Sequence, residues 1–340
     1  MRVFQIMAGA EHGGAEAFFT RLVPGLTRAG VEQRVAIRRD AKRAKILSKA
    51  GTKPIELRFG GPIDLYTSFC LRREIKAFKP DIVMTWMNRA TTKCPSGEFV
   101  HVGRLGGYYD LKYYQGCDHL IGNTEDIIGH LVGNGWPGDK AHYLPNFVSS
   151  VRAEPASRAE VFTPPSAPLV LALGRLHQNK AFDVLLQAMI RVPDAYLWLA
   201  GEGPLRRELE DLAQKLAVKP RVRFLGWRDD VAALFAACDV FVCSSRLEPL
   251  GNVVIEAWAQ EVPVVATDSL GPGTLIEHME TGVLAPVDDG AALGRALKLV
   301  LGDTGLHQRI TRDGHGVYKA RFSESVVVRQ YLDFFNRITA

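Results

Sequence analysis

Short runs of apolar residues recur from one end of this chain to the other and alternate with longer amphipathic stretches. A run that is apolar throughout, rather than at every second position, belongs to a strand buried on both faces. Strands of that kind separated by helices build parallel sheets with helices on each side, so the fold class is α/β. In the first half, strands are predicted over residues 3–7, 33–37, 82–85, 99–103 and 119–121, and helices over 15–28, 41–50 and 66–78. A second series follows, with strands at 169–173, 196–200, 222–225, 240–243 and 264–266. Two series of similar size imply two doubly wound, Rossmann-like sheets. The stretch 146–168 holds Pro155, Pro164, Pro165 and Pro168 among several serines and reads as the connection between them. The expected domains are therefore 1–150 and 151–324, with an amphipathic helix at about 325–340 packing back on the first.

Composition narrows the class. With 340 residues, 47% hydrophobic and 23% charged, the chain is an ordinary globular protein long enough for two cores. Its longest apolar runs fall far short of the roughly 18 residues a membrane-spanning helix needs. Met1-Arg2-Val3-Phe4 begins a strand and has no signal-peptide layout, so a cytoplasmic protein is expected. Five cysteines, odd in number and widely spread without a C-x-x-C, favour neither disulfides nor zinc. The charge is uneven: residues 1–150 carry 21 Lys and Arg against 14 Asp and Glu, whereas the remainder carries 21 and 23. Arg38, Arg39, Lys42, Arg43, Lys45, Lys49 and Lys53 form one basic group, and Arg72, Arg73, Lys76 and Lys79 another. Such a face is either simply solvated or meets anionic headgroups or phosphorylated ligands. Nucleic acid is not expected, because no aromatic residues are interleaved with these charges and no recognition motif accompanies them.

Two segments carry candidate chemistry. After the strand at 169–173 come Gly174, Arg175 and Lys180, then an amphipathic helix. A glycine turn, two cations and a helix start suit a diphosphate, although Gly174 serves equally as a turn residue beside two surface cations. Further on, Glu248-Pro-Leu250-Gly251-Asn252 precedes a helix that carries Glu256. Carboxylates accept hydrogen bonds from sugar or ribose hydroxyls while the backbone N–H groups at the helix start favour a phosphate. By spacing alone, Glu256 is equally an exposed helix residue.

Taken in order, Gly174-Arg175-Leu, Asn179-Lys180-Ala-Phe-Asp, Ala200-Gly-Glu-Gly-Pro204, Phe224-Leu-Gly-Trp227 and Glu248-Pro-Leu-Gly with Glu256-Ala resemble the carboxyl-terminal domain of retaining family 4 glycosyltransferases. Gly13-Gly14-Ala-Glu16, after the first strand, is similar to the family's glycine-rich loop. The resemblance implies a GT-B fold, two Rossmann-like domains facing across a cleft, and a nucleotide sugar, most simply a UDP-sugar, as co-substrate. It implies that Arg175 and Lys180 neutralise the diphosphate, that Glu256 binds the ribose, and that Glu248 with the Gly251–Asn252 backbone holds the transferred sugar. Gly13, Gly14, Gly174 and Leu250 join the donor side. Retention without an enzymic nucleophile, and catalysis without a metal or other cofactor, follow from the same resemblance. No D-x-D metal motif is present in the sequence.

On the acceptor side the chain departs from the family. Many relatives carry a histidine just after the fourth strand of the first domain, where strand counting here places Arg104 and leaves His101 inside a strand as a core residue. Arg104 reads as a contact to an anionic acceptor or phosphate, or as a partner of Asp110. Tyr108 and Asp110 follow the Gly106-Gly107 pair and suit sugar recognition, and His12 beside Gly13 is a further candidate. Trp86 falls at a ligand-facing strand end or covers a core edge. The expected acceptor is a glycan or lipid-linked molecule of lipopolysaccharide or envelope polysaccharide, reached by peripheral contact with the inner face of the membrane. A GT-B epimerase or phosphorylase and a non-catalytic sugar-nucleotide-binding protein are the competing readings.

Overall fold

The apolar runs form two all-parallel sheets in a computed structural model that describes residues 1–11, 13–61 and 64–340. The chain divides into two units, one of residues 1–147 with 324–340 and the other of residues 148–323.

In the first unit the strands are β1 (Arg2–Met7), β2 (Glu32–Arg38), β3 (Ile55–Leu57), β4 (Ile82–Trp86), β5 (Val100–Arg104), β6 (His119–Gly122) and β7 (Ala141–Tyr143). They pair in the order β3-β2-β1-β4-β5-β6-β7. Between them run α1 (Gly14–Arg28), α2 (Ala41–Lys49), α3 (Leu65–Phe78), α4 (Met87–Thr91) and α5 (Glu125–Gly133). The second unit has β8 (Leu169–Leu173), β9 (Tyr196–Ala200), β10 (Val222–Gly226), β11 (Val240–Cys243), β12 (Val264–Thr267) and β13 (Val283–Ala285), ordered β10-β9-β8-β11-β12-β13. Its helices are α6 (Phe182–Ala188), α7 (Arg206–Lys215), α8 (Val231–Ala237), α9 (Asn252–Ala259), α10 (Leu270–Leu275), α11 (Gly290–Gly302) and α12 (Thr304–Val317). The last helix, α13 (Glu324–Thr339), returns to the first unit and packs against α1.

The sequence did not reveal β3, β7 and β13, each three residues long, because so short a run carries no periodicity. Both sheets reverse their strand order once in the middle, between β1 and β4 and between β8 and β11. In a doubly wound sheet the loops at the carboxyl ends diverge at that reversal and open a crevice.

One polar cluster at the edge of the first sheet makes stability pH-dependent. His119 Nδ1 lies 3.0 Å from His142 Nε2, and the Phe334 ring of α13 sits 4.7 Å from the His142 ring. Burial first, then the neighbouring His119 and Arg337, push the His142 imidazole from 6.5 down to about 4. The unfolded chain therefore binds a proton that the folded chain refuses between those values, so stability is full above pH 6.5 and falls as the pH drops towards about 4. Urea midpoints measured across that window should fall with pH, and His142→Gln should flatten the dependence.

Candidate functional site

Lys180, from the loop after β8, and Glu248, from the loop after β11, meet at the strand-order reversal of the second sheet, where Lys180 Nζ donates to Glu248 Oε2. Their side chains are 22% and 15% exposed. Burial alone would depress the Lys180 ammonium, but Glu248, with a smaller contribution from Glu256, outweighs it and raises the group above its ordinary value. Lys180 is thus a fixed cation at physiological pH, with both predicted carboxylates acting on it.

The two loops are tied to one another. Ser244 Oγ donates to the Lys180 carbonyl at 2.8 Å, and Arg246 N donates to the Asn179 carbonyl at 2.8 Å. The Arg246 guanidinium binds both carboxylate oxygens of Asp183 at 3.0 and 2.6 Å and the Gln178 carbonyl at 3.0 Å. Sequence reasoning gave Arg246 no role, since its partners Gln178, Asp183 and Asp288 lie more than 40 residues away.

Glycines let the backbones approach. Gly174 N donates to Ala200 O at 3.0 Å, and Leu176 N to Glu202 O at 2.9 Å, lacing the loops after β8 and β9. Gly174 and Gly201 have φ of +146° and +148°, and a Cβ on Gly201 would lie 1.9 Å from the Gly174 carbonyl oxygen. The Lys180 stem runs across Gly174, whose added Cβ would meet Cε at 3.0 Å. Gly201→Ala should cost at least about 3 kcal/mol in chemical denaturation, because a backbone atom rather than a flexible side chain stands in the way.

The Glu248 loop rests on α10: Gly271 N donates to Glu248 O at 2.7 Å, and a Cβ on Gly271 would lie 2.6 Å from that oxygen. Leu250 is buried beneath it. Gly251, at φ +80°, turns the chain into α9, which starts at Asn252 with no side-chain cap. An uncapped helix start presents N–H groups and a partial positive charge. Glu256 is half-buried on the same helix, and Arg175 is exposed in the loop that carries Lys180. The structure thus gathers Arg175, Lys180, Gly174, Glu248, Leu250, Gly251, Asn252 and Glu256 at one sheet edge.

In the first unit the corresponding reversal holds Ala8 to Glu11, after β1, and Gly13, before α1. A Cβ on Gly9 or Gly13 would fall 2.4 or 2.2 Å from the Glu16 carboxylate, which accepts from Ala10 N at 2.8 Å. The opposite side of the loop is held by Arg43, whose Nη2 donates to the Ala10 carbonyl at 2.6 Å and lies 3.1 Å from Asp40 Oδ2. Arg43 is buried, so its expected place in a solvated basic face is corrected: Asp40 caps α2 and turns Arg43 inward. Gly13 and Gly14 are exposed at the start of α1, which has no side-chain cap either. His12 lies outside the described residues.

The acceptor-side expectation for Arg104 is also corrected. Its guanidinium is 1% exposed, 4.6 Å from the ring centroids of both Phe18 and Trp86, and bound to Tyr331 Oη at 2.7 Å and Asn146 Oδ1 at 2.5 Å. It clamps α13 to the sheet and does not pair with Asp110, which binds Lys112 at 2.7 Å instead. Trp86 is fully buried and donates to Gln5 Oε1 at 3.0 Å, so it belongs to the core. His101 lies within β5 with Thr85 Oγ1 and the Gly116 carbonyl as partners, a satisfied core histidine whose pKa burial lowers. Tyr108 donates to Asp126, and burial followed by that carboxylate pushes its phenol up to about 12. Tyr108 and Asp110 remain at the surface, in a loop whose Gly106 approaches Ala15 of α1.

Two parallel, doubly wound sheets define the GT-B architecture of glycosyltransferases, and a cation–carboxylate pair stands at the crossover of the second. A glycosyltransferase from Rickettsia africae has the same fold, with a TM-score of 0.87 at 19% identity over 99% of this chain and 98% of that one. Anabaena HepE, solved in complex with UDP and glucose, gives 0.84 at 18% identity over 99% and 100%. Residues 12–152 match the family described as Glycosyltransferase Family 4, and residues 167–303 match Glycosyl transferases group 1. The lipopolysaccharide core biosynthesis glycosyltransferase LpsE of Rhizobium meliloti is 37% identical over 94% of this chain and 95% of its own length. The chain belongs to this family of glycosyltransferases.

Proposed function

We propose that the enzyme moves a hexosyl group from a UDP-sugar, with retention of configuration, to a glycan or lipid-linked acceptor in lipopolysaccharide core or envelope polysaccharide synthesis. The observation that carries this reading is the Lys180–Glu248 pair beside the uncapped start of α9. As the bond between the sugar C1 and the diphosphate oxygen lengthens, negative charge grows on the leaving phosphate. Lys180, Arg175 and the α9 backbone then stabilise that charge more strongly than they stabilise the ground state. Glu256 accepts hydrogen bonds from the ribose, and Glu248 with the Gly251–Asn252 backbone orients the sugar. C1 forms its new bond to the acceptor oxygen, and the acceptor proton passes to the departing diphosphate oxygen. No enzymic nucleophile is needed for that exchange. Gly13 and Gly14 join the donor side as exposed glycines at the start of α1, with the Glu16 carboxylate packed against Gly13.

Support for the lipopolysaccharide assignment is the likeness to LpsE over nearly the whole chain, and support for UDP is its presence in the HepE complex. Two cations, Lys180 held by Glu248 and the exposed Arg175, together with a helix end would supply the neutralisation that a divalent ion provides in other transferases, so chelation should not matter. The test is nucleotide release from a panel of nucleoside-diphosphate sugars, with and without EDTA. Slow release from a UDP-sugar alone, unchanged by EDTA, is expected. Release that depends on a metal, or from no donor in the panel, contradicts the reading, and donor binding without release under any acceptor mixture favours a non-catalytic binder.

A further inference from the structure

Helix α3 turns Cys70, Leu71 and Ile75 into the core of the first unit. Its opposite face begins with Leu65, Tyr66 and Phe69, which are 75%, 64% and 63% exposed. At helical spacing the same face continues through Arg72, Arg73 and Lys76, all exposed. Three large apolar side chains within one turn of water-facing helix are not the scattered kind that any surface carries. Nor is the turn a frayed end. Asp64 accepts from Thr67 N at 3.0 Å and from Thr67 Oγ1 at 2.5 Å, while Lys93 Nζ holds the Gly61 and Asp64 carbonyls at 3.0 and 3.1 Å.

Charge surrounds this apolar turn on more than one side. Arg39 and Arg58 follow the carboxyl ends of β2 and β3, and both Arg39 and Arg73 stand close enough to Tyr66 to act on its phenol. Glu74, the acidic residue of this stretch, is already shared between Arg34 and Arg73. Because the sheet is parallel, the start of α3 lies at the same edge as residues 8–11, which follow β1. Among the described residues no helix is long and apolar enough to cross a membrane.

We propose that this face of α3 seats the enzyme on an anionic lipid bilayer, with Leu65, Tyr66 and Phe69 entering the headgroup layer and Arg72, Arg73, Lys76, Arg39 and Arg58 binding lipid phosphates. An apolar stripe bordered by cations is the composition of a helix lying in a membrane interface. A second copy of the chain fits the face poorly, since like charges would oppose one another across the contact. The inference deepens the acceptor reading above and rests on it for its purpose: a lipid-linked acceptor would be met at the sheet edge that carries the loops of the first unit.

The experiment is co-sedimentation with vesicles of phosphatidylglycerol and phosphatidylcholine in equal parts against vesicles of phosphatidylcholine alone. It is run on the full chain and on two triple variants, Leu65→Ser/Tyr66→Ser/Phe69→Ser and Arg72→Gln/Arg73→Gln/Lys76→Gln. The unmodified chain should bind the anionic vesicles at least about tenfold more tightly than the neutral ones, and each triple variant should lose at least about tenfold. A Tyr66→Trp reporter should shift its emission to the blue on the anionic vesicles. Equal binding to both vesicle types, no binding, or a serine variant that binds as well as the unmodified chain overturns the proposal. Self-association that the serine variant abolishes, without lipid binding, also overturns it and makes the face a copy-to-copy interface. Both variants should keep the circular dichroism melt and the nucleotide release from a soluble UDP-sugar, so a failed vesicle result is distinguishable from a failed transferase assignment.

Discussion

Replacing Lys180 by alanine should lower kcat/KM about a thousandfold, equivalent to about 4 kcal/mol of transition-state stabilisation. The loss should fall mainly on kcat. Lys180 is mostly withdrawn from water, held against Glu248 and backed by Gly174, so in the proposed mechanism its charge would act on the leaving phosphate at low local dielectric without having to be reoriented. Steady-state kinetics of nucleotide release measures the effect, with the melting curve of the variant as the check on folding. Lys180→Arg should recover only part of the rate, because the planar guanidinium does not fit a path cut for a straight stem across a glycine. The neighbouring carboxylates raise the Lys180 pKa, so the cation persists up to and beyond the ordinary lysine value of 10.5. Activity should therefore show no loss from lysine deprotonation below that pH. A Lys180→Ala enzyme within about threefold of the unmodified rate would remove this residue from the chemistry, given a mechanism in which a positioned charge contributes about a hundredfold or more.

The largest stability effect is expected at Arg104. Truncation to alanine removes a guanidinium held between Phe18 and Trp86 and leaves Tyr331 Oη and Asn146 Oδ1 buried without that donor. Loss of one partner from a buried charged network, together with the cavity it leaves, costs about 3–5 kcal/mol. Urea denaturation should report that loss, and hydrogen exchange should show α13 losing protection first, since Arg104 links β5 to a helix 227 residues away in sequence. Unchanged stability with a raised KM for the acceptor would instead return Arg104 to the substrate surface.

The contrast between these two residues shows what the amino-acid order makes legible. The central strands are readable because each is an apolar run buried on both faces, as at residues 169–173. The residues predicted for the donor side stand out as a set because glycine turns, cations and carboxylates recur in a familiar order, although spacing alone left Gly174 and Glu256 open to plainer readings. Arg104 and Arg43 were misread for one shared reason. A charged residue at the end of a strand or the start of a helix reads as facing water or a ligand unless its partners are known, and those partners are distant or backbone atoms. Arg43 had one local signal, the Asp40 three residues before it that caps the helix. Arg246 had none, since the Gln178 carbonyl and Asp183 come from the loop and first helical turn after another strand. The exposed turn at Leu65, Tyr66 and Phe69 was hidden in the same way, because sequence periodicity shows that α3 has two faces but not that part of the outer one is apolar.

The proposed nucleotide-sugar site at the crossover of the second sheet is tested by titration calorimetry of UDP into the unmodified enzyme, Lys180→Ala and Glu256→Ala. The unmodified enzyme should bind UDP and each variant should bind it at least about tenfold more weakly, the first through the diphosphate and the second through the ribose. UDP binding that neither substitution alters would contradict it and place the donor elsewhere in the chain.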